Sequence, residues 1–210
     1  MKIDSPKIQE QSMTIETIQV LESKTEYRNQ LIEHISLDYQ EALKVSFENV
    51  IFRNVMISDS SLEQFEFTDV VFENCDFSNV NFSGAIMHRT AWTNCKFVGT
   101  DFSTSRMQNV QFAQSVGDYS NFRFANLKQV AFAECSLISA DFAYLALQKM
   151  LLDHCNIDQA FMTGTKLKGL DLSNCEFDSL VVNMEDLNGC VISPYQAATF
   201  VGLMGIVIKS

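Results

Sequence analysis

A large apolar residue returns at every fifth position from Phe47 to Ile192, with no insertion or deletion and one exception, Gly117. The stretch from Cys75 to Phe102 is the clearest. Phe77, Phe82, Met87, Trp92, Phe97 and Phe102 hold the frame, and Cys, Val, Ala or Thr stands two residues before each. A period of five fits neither the 3.6 of a helix nor the 2 of a flat strand. It fits a coil whose side is five residues long. Four sides close one turn, and turns stack about 4.8 Å apart through β-type hydrogen bonds. In each five, the large residue and the small one two before it point inward, and the other three face solvent. No turn buries its inward residues alone, so the core exists only once turns are stacked.

Residues twenty apart should then look alike, and they do. Phe52, Phe72, Trp92, Phe112, Phe132, Leu152, Leu172 and Ile192 form one inner column. Phe82, Phe102, Phe122 and Phe142 form most of a second. Met87, Met107, Leu127, Leu147, Leu167 and Leu187 continue a third begun by Phe47 and Phe67. Ile57, Phe77, Phe97, Gly117, Leu137, Ile157 and Phe177 make the fourth. At Gly117 a local irregularity is expected, either a bulge or kink or a gap filled by neighbouring side chains.

The predicted fold is an all-β quadrilateral β-helix over residues 25–192, with an N-terminal extension or cap at 1–24 and a C-terminal cap at 193–210. Between 25 and 44 the register is degenerate around Tyr27, Ile32 and Leu37, and Ser36 to Lys44 would also tolerate a helical turn. Met13, Ile15, Ile18 and Val20 partly alternate, as in a strand or small cap. Ser193-Pro194 reads as a helix start, Tyr195 to Leu203 as a short helix, and Ile206 to Lys209 as a short strand. An open solenoid end exposes core and unpaired backbone, so a cap is required. An apolar cap also suits pairing with a second copy, which makes Pro194, Tyr195, Phe200, Leu203, Ile206 and Ile208 the candidate residues for a homodimer.

The net charge of −11 argues against direct nucleic-acid binding or an anionic membrane surface. No apolar run reaches 18 residues, and Met1 to Gln11 carries both signs of charge, unlike a secretory signal. A cytoplasmic protein with reduced thiols is expected. Cys75, Cys95, Cys135, Cys155 and Cys175 recur at 20 or 40 residues, with Ser115 in the gap. The repeat explains them as small buried residues rather than metal ligands. Cys190 holds a similar position on another face. His34, His88 and His154 are scattered, and no phosphate loop, nucleophile elbow or zinc motif occurs. Neither enzymatic activity nor a cofactor or metal is expected.

Charge placement carries more information. The face centred on 47, 67 and so on to 187 shows Arg89, Arg106, Lys128, Lys149, Lys166 and Lys168. The opposite face, centred on 57, 77 and so on to 177, shows Asp59, Asp76, Asp118, Asp158, Glu176 and Asp178 against Lys96. Residues 31–192 hold 21 acids and 10 bases. Over about 39 Å of coil that is one net charge per ~3.5 Å, against one per ≈ 1.7 Å for duplex DNA. A third face carries outward Phe124, Tyr144, Phe161 and Met184.

The repeat resembles the A(D/N)LXX motif of the pentapeptide-repeat family, over about 70% of the chain. The resemblance implies a right-handed quadrilateral β-helix. An unbroken rod with an apolar C-terminal segment is further similar to the loop-free Qnr/MfpA group. That similarity implies a dimeric DNA mimic that binds DNA gyrase or topoisomerase IV and protects it from quinolones, through the six acids named above. The alternative is an interaction scaffold with another protein partner, using Phe124, Tyr144 and Met184.

Overall fold

The computed structural model describes residues 2–203 and 206–207, with the Leu203 side chain excepted. Its backbone is a stack of about eight turns. One wall is a parallel sheet of β1 (Thr14–Glu16), β2 (Glu26–Glu33), β4 (Ser46–Arg53), β6 (Glu66–Glu73), β7 (Ile86–Thr93), β8 (Arg106–Ala113), β9 (Asn126–Ala133) and β10 (Ala146–Asp153), in that order. Two short parallel pairs complete the strands: β3 (Glu41–Leu43) with β5 (Ser61–Glu63), and β11 (Ala160–Phe161) with β12 (Leu180–Val181). From β2 onward each residue faces the one twenty later, as Phe47 faces Phe67 and Phe67 faces Met87. The four-sided coil expected from the period is therefore present. Ser36 to Lys44 forms no helical turn. Ser36 bridges Met56, and β3 follows, because stacking on the next turn gives these residues backbone partners.

Each eight-residue strand spans two faces and the corner between them. The corner residue is left-handed, as at Asn49 (φ 55°) and Asn109 (φ 57°). The other faces are joined by tight turns in which Ala85 N–H bonds Phe82 O at 3.0 Å. Such turns need a positive φ at the third position, supplied by Gly84 (φ 69°) and Asn79 (φ 58°). Asn is enriched at corners because it tolerates this region best after Gly. Its amides also stack from turn to turn, as Asn94 Nδ2 does on Asn74 Oδ1 at 2.7 Å.

Inside, the large residues form stacked aromatic columns. Phe112 lies 4.8 Å from Phe132 with rings 5° apart, and Phe122 lies 5.1 Å from Phe142. Rings of neighbouring columns meet edge to face, as Phe72 meets Phe77 at 5.3 Å, the arrangement aromatic quadrupoles favour. Several small inward positions do more than fill space. The Cys95 thiol donates to Thr93 O and Phe72 O, Ser115 Oγ to Ala113 O at 2.7 Å, and Thr100 Oγ1 to Phe77 O at 2.7 Å. A small side chain with a donor thus adds a second hydrogen bond to carbonyls such as Thr93 O and Ala113 O, which already accept from Asn74 N–H and Asn94 N–H, and leaves its own buried polar atom satisfied. Burial raises the Cys175 thiol to about 12 and that of Cys190 to about 11, which suits structural rather than reactive cysteines.

Gly117 causes no bulge or kink. Its N–H bonds Ser136 O at 2.8 Å, and Phe97 N–H bonds Val116 O at 2.8 Å. The Phe97 ring leans into the place a side chain would take, since a Cβ on Gly117 would fall 1.8 Å from Phe97 Cε2. The frame breaks in sequence while the core stays filled.

Both ends are closed. At the N-terminus, β1 pairs with β2 at an offset of sixteen, Thr14 facing Gln30. The first turn is four residues short, and Ile18 and Leu21 close over the core. At the C-terminus the last turn departs from the repeat: Met184–Leu187 is a 3-10 helix and turns the Asp186 carboxylate inward. A 3-10 turn (Pro194–Gln196) then leads into α1 (Ala197–Leu203). Gln196 Oε1 accepts from Ser193 N–H at 2.8 Å, and its Nε2 donates to Leu172 O and Cys175 O, each at 2.8 Å. Phe200 is buried and packs on Phe177 at 5.8 Å. The expected strand is not formed at Ile206 and Val207, which have no ladder partner among the described residues; Ile208 and Lys209 lie outside the described residues.

Residues 2–9 lie along the outside of the rod. Lys7 N–H donates to Asp69 Oδ1 (2.9 Å), Asp4 N–H to Asn109 Oδ1 (3.3 Å) and Gln9 N–H to Asn49 Oδ1 (3.3 Å), while Gln129 Nε2 donates to Lys2 O (2.9 Å). Arg53 Nη2 then holds Glu10 at 3.2 Å.

Candidate functional site

The acids expected on one face do lie there, on the turns centred at 57, 77, 117, 157 and 177, and they fall into two kinds. Asp76, Asp118 and Asp158 are half-buried and bonded to the rod itself. Asp76 Oδ1 accepts from Ser78 N–H (3.0 Å) and Ser78 Oγ (2.6 Å). Asp118 Oδ1 accepts from Ile138 N–H (2.9 Å) and Ser136 Oγ (2.6 Å) in the next turn. Asp158 Oδ1 accepts from Ser179 N–H (2.9 Å) and Asp178 N–H (3.0 Å), and the Ser179 amide first of all holds its carboxyl below the usual range. These groups are fixed in place. Asp59, Glu176 and Asp178 are exposed. Asp59 accepts only from Asn79 Nδ2 (3.3 Å), and no side-chain hydrogen bond forms at Glu176 or Asp178 among the described residues. Sequence reasoning missed Asp38, which extends the row by one turn and accepts from Ser58 Oγ at 2.7 Å. Its signal was its twenty-residue offset from Ser58, hidden by the degenerate register there.

The basic face is weaker than its residue count suggests. Arg89 grips Asp69 in a bidentate pair, Nε to Oδ1 and Nη2 to Oδ2 both at 2.6 Å, and also touches His88 Nε2. Burial by itself would raise the Asp69 carboxyl. The Arg89 and Lys7 hydrogen bonds outweigh it and hold the group low. Lys166 Nζ pairs with Asp186 Oδ1 at 2.8 Å. Arg106, Lys128, Lys149 and Lys168 form no ion pair among the described residues. A shallow, open depression of about 350 Å³ lies here, lined by Ile86, His88, Arg106, Gln108, Asn126 and Lys128. Burial, then Arg89, lowers the His88 pKa, so the ring is neutral at pH 7. No group of three or more His, Cys, Asp or Glu side chains gathers as a metal site would require among the described residues.

On the third face, Phe124 and Tyr144 stack at 5.3 Å, and Tyr144 covers Gly164. Arg123, which the sequence reading did not single out, lies 5.1 Å from the Phe124 centroid and 4.7 Å from that of Tyr144. Phe161 and Met184 are partly exposed on the same face, at 42% and 45%. Of the C-terminal candidates, Phe200 turns inward as described, whereas Tyr195 is 94% and Ile206 53% exposed.

A regular five-residue frame, four faces and turns stacked at twenty-residue spacing are thus in hand. The family comparison adds direct matches: the pattern described as pentapeptide repeats (8 copies) matches residues 51–89 and 66–103, and that described as pentapeptide repeat region matches 85–162. The chain is a pentapeptide-repeat protein. Among solved structures, it is similar to HetL, a pentapeptide repeat protein involved in heterocyst differentiation regulation from the cyanobacterium Nostoc sp. strain PCC 7120. The identity is 15%, over 77% of this chain and 84% of HetL, with a TM-score of 0.57. A trypsin-treated variant of QnrB1, a plasmid-mediated fluoroquinolone resistance protein, matches at 15% identity over 92% of this chain and 100% of its own, with a TM-score of 0.45. A comparison with the curated proteins finds no match. HetL supports the fold of this pentapeptide-repeat rod; the function has to be argued from its faces. No helix is long and apolar enough to cross a membrane among the described residues.

Proposed function

We propose that this rod is a non-enzymatic, DNA-mimicking protein that binds a type II topoisomerase, DNA gyrase or topoisomerase IV, and protects it from quinolones or similar inhibitors. The observation that carries the reading is the acidic face. Carboxylates stand on five of its seven turns from 57 to 177, those centred at 97 and 137 carrying none, and Asp76, Asp118 and Asp158, two turns apart, are held rigid by the rod's own donors. A surface that binds DNA is built to meet fixed negative charge at regular spacing. Fixed carboxylates meet it without losing side-chain freedom on binding. The opposite face offsets this less than its six cations suggest, because Arg89 and Lys166 are already paired and four remain.

The test is the triple reversal Asp59→Lys, Glu176→Lys, Asp178→Lys, which avoids the acids that brace the backbone. Wild type should relieve quinolone inhibition of gyrase supercoiling, and the variant should need at least ~10-fold more protein, with binding that weakens as salt rises. Wild type inert at every stoichiometry would sink the proposal.

The second reading, a scaffold for another protein, is favoured by the Arg123–Phe124–Tyr144 stack. A bulky residue at a left-handed corner costs about 1–2 kcal/mol, yet Phe124 (φ 60°) and Tyr144 (φ 55°) both stand at one. Phe124→Ala with Tyr144→Ala should leave topoisomerase protection unchanged; loss of protection would move the contact to that face. The C-terminal segment is the dimer contact in this proposal, with Tyr195 and Ile206 as its exposed apolar residues. Sedimentation at micromolar concentration should show a dimer for wild type and a monomer for Tyr195→Asp with Ile206→Asp.

A further inference from the structure

The N-terminal segment is bound to the rod as a peptide ligand would be. The left-handed corner of the basic face presents one side chain per turn: Asn49, Asp69, Arg89, Asn109 and Gln129. Four of these five hydrogen bond to the backbone of residues 2–9, and the fifth, Arg89, braces one of those four contacts by gripping Asp69. The order is reversed, Lys2 at the turn of Gln129 and Gln9 at the turn of Asn49, so the segment runs antiparallel to the rise of the coil. Seven residues cross four turns, about 19 Å at 4.8 Å per turn. That is ~2.7 Å per residue, near the 3.1 Å of a polyproline II chain. Ile3, Pro6 and Ile8 are half-buried, whereas Lys2, Asp4, Ser5, Lys7 and Gln9 are exposed.

Three properties distinguish this from an ordinary packed terminus. The donors and acceptors are side chains of the rod and main chain of the segment, so recognition of the segment's backbone does not depend on its sequence. The segment adds no strand to the sheet and supplies none of the buried core. It is joined to the rod through the short Glu10–Ser12 turn, so its hold rests on tethering as well as contact.

We propose that this corner ladder is a binding track for an extended peptide, and that residues 2–9 are a detachable occupant which, released from one copy, seats on the track of a second copy of this chain. The ligand class is an extended segment with apolar residues spaced as Ile3, Pro6 and Ile8, and the second copy's arm is that ligand. A short tether gives the resident arm an effective concentration in the millimolar range. The track is therefore masked in cis, and exchange requires that the resident arm be weakened or the protein be concentrated. The track lies on the basic face, away from the acids of the proposed topoisomerase contact, so either reading can fail without the other.

The experiment uses full-length protein and a fluorescein-labelled synthetic peptide of residues 2–12, followed by anisotropy. Ile3→Asp with Ile8→Asp weakens the resident arm and leaves the track intact. This variant should bind the peptide saturably, and wild type at least ~10-fold more weakly because its own arm competes. Adding Asn49→Gly and Asn109→Gly removes two acceptors while keeping the corner conformation, and should lower the affinity at least ~10-fold. Fluorescence of the buried Trp92 verifies that every variant is folded. The proposal is overturned if the peptide fails to bind the double-aspartate variant at millimolar concentration. It is equally overturned if wild type binds as tightly, or if the two glycine substitutions change nothing.

Discussion

Phe97→Ala should be among the most destabilising single substitutions in this protein, at roughly 5 kcal/mol, the upper end of the range for losing a buried aromatic ring. The reason lies one turn away. Phe97 fills its own inward position and also that of Gly117, where a Cβ would fall 1.8 Å from its Cε2. Removing the ring leaves two adjacent vacant positions in one column, between Trp92, Phe102 and Phe112. The turns cannot close the gap, because ladder bonds of 2.8 Å at Phe97 and Gly117 fix their spacing. Gly117→Leu in wild type should also destabilise, by about 1–3 kcal/mol, since the ring must leave to admit the new side chain. In the Phe97→Ala background the same substitution fills the gap and should recover stability. The sign of its effect therefore reverses, a coupling that neighbouring positions permit and distant ones do not. Urea titration read by Trp92, which has no solvent exposure and lies 6.4 Å from Phe97, measures all four corners of the cycle. Additive effects of the two substitutions would show that Phe97 does not hold the Gly117 position.

The same pair shows how far the sequence was legible. The five-residue frame, its four columns and the inward cysteines follow from a strict period, because stacking leaves each position a single environment. Gly117 breaks the frame without revealing whether the gap stays open, since the answer depends on a ring one turn away. The ends were less readable for a related reason. The repeat dictates nothing beyond the last full turn, so Asp186, which the frame places outward, turns in, and Gln196 serves as a plug for two carbonyls. Phe200 closes the rod for the same reason. The acidic face was readable as a row of residues, but the division into braced and unbraced carboxylates depends on hydrogen bonds between turns. The arm along the corner had only a faint signal: Ile3, Pro6 and Ile8 in an otherwise polar segment, with no indication of which surface they meet.

Asp186→Ala should release the last turns from the rod. The carboxylate is 2% exposed and accepts from Lys166 Nζ (2.8 Å), Gly164 N–H (2.8 Å) and Asn183 Nδ2 (3.0 Å). Its loss leaves the Gly164 amide without a partner at a corner whose φ of 75° only glycine adopts easily. The expected cost is roughly 2–4 kcal/mol. Lys166→Ala should cost far less, because the ammonium is largely solvated and regains water when unpaired. The pH dependence follows from the two partners. The Lys166 bond first of all holds the Asp186 carboxyl below its ordinary value. The carboxylate's contribution is thus complete above about pH 4, the unfolded value, and disappears as pH falls through the lowered folded value. Lys166 is raised by the same bond, so its share is complete below about pH 10 and fades as pH climbs through the raised folded value. The gap between wild type and Asp186→Ala should therefore be constant near neutrality and shrink in acid. Stability in a stacked rod is local, and end turns open before the middle, so Trp92 would report little of this. Hydrogen exchange at Gly164, Leu167 and Leu172 is the appropriate measure. Unchanged protection there in Asp186→Ala, or an equal loss in Lys166→Ala, would show that the buried carboxylate does not hold the C-terminal end.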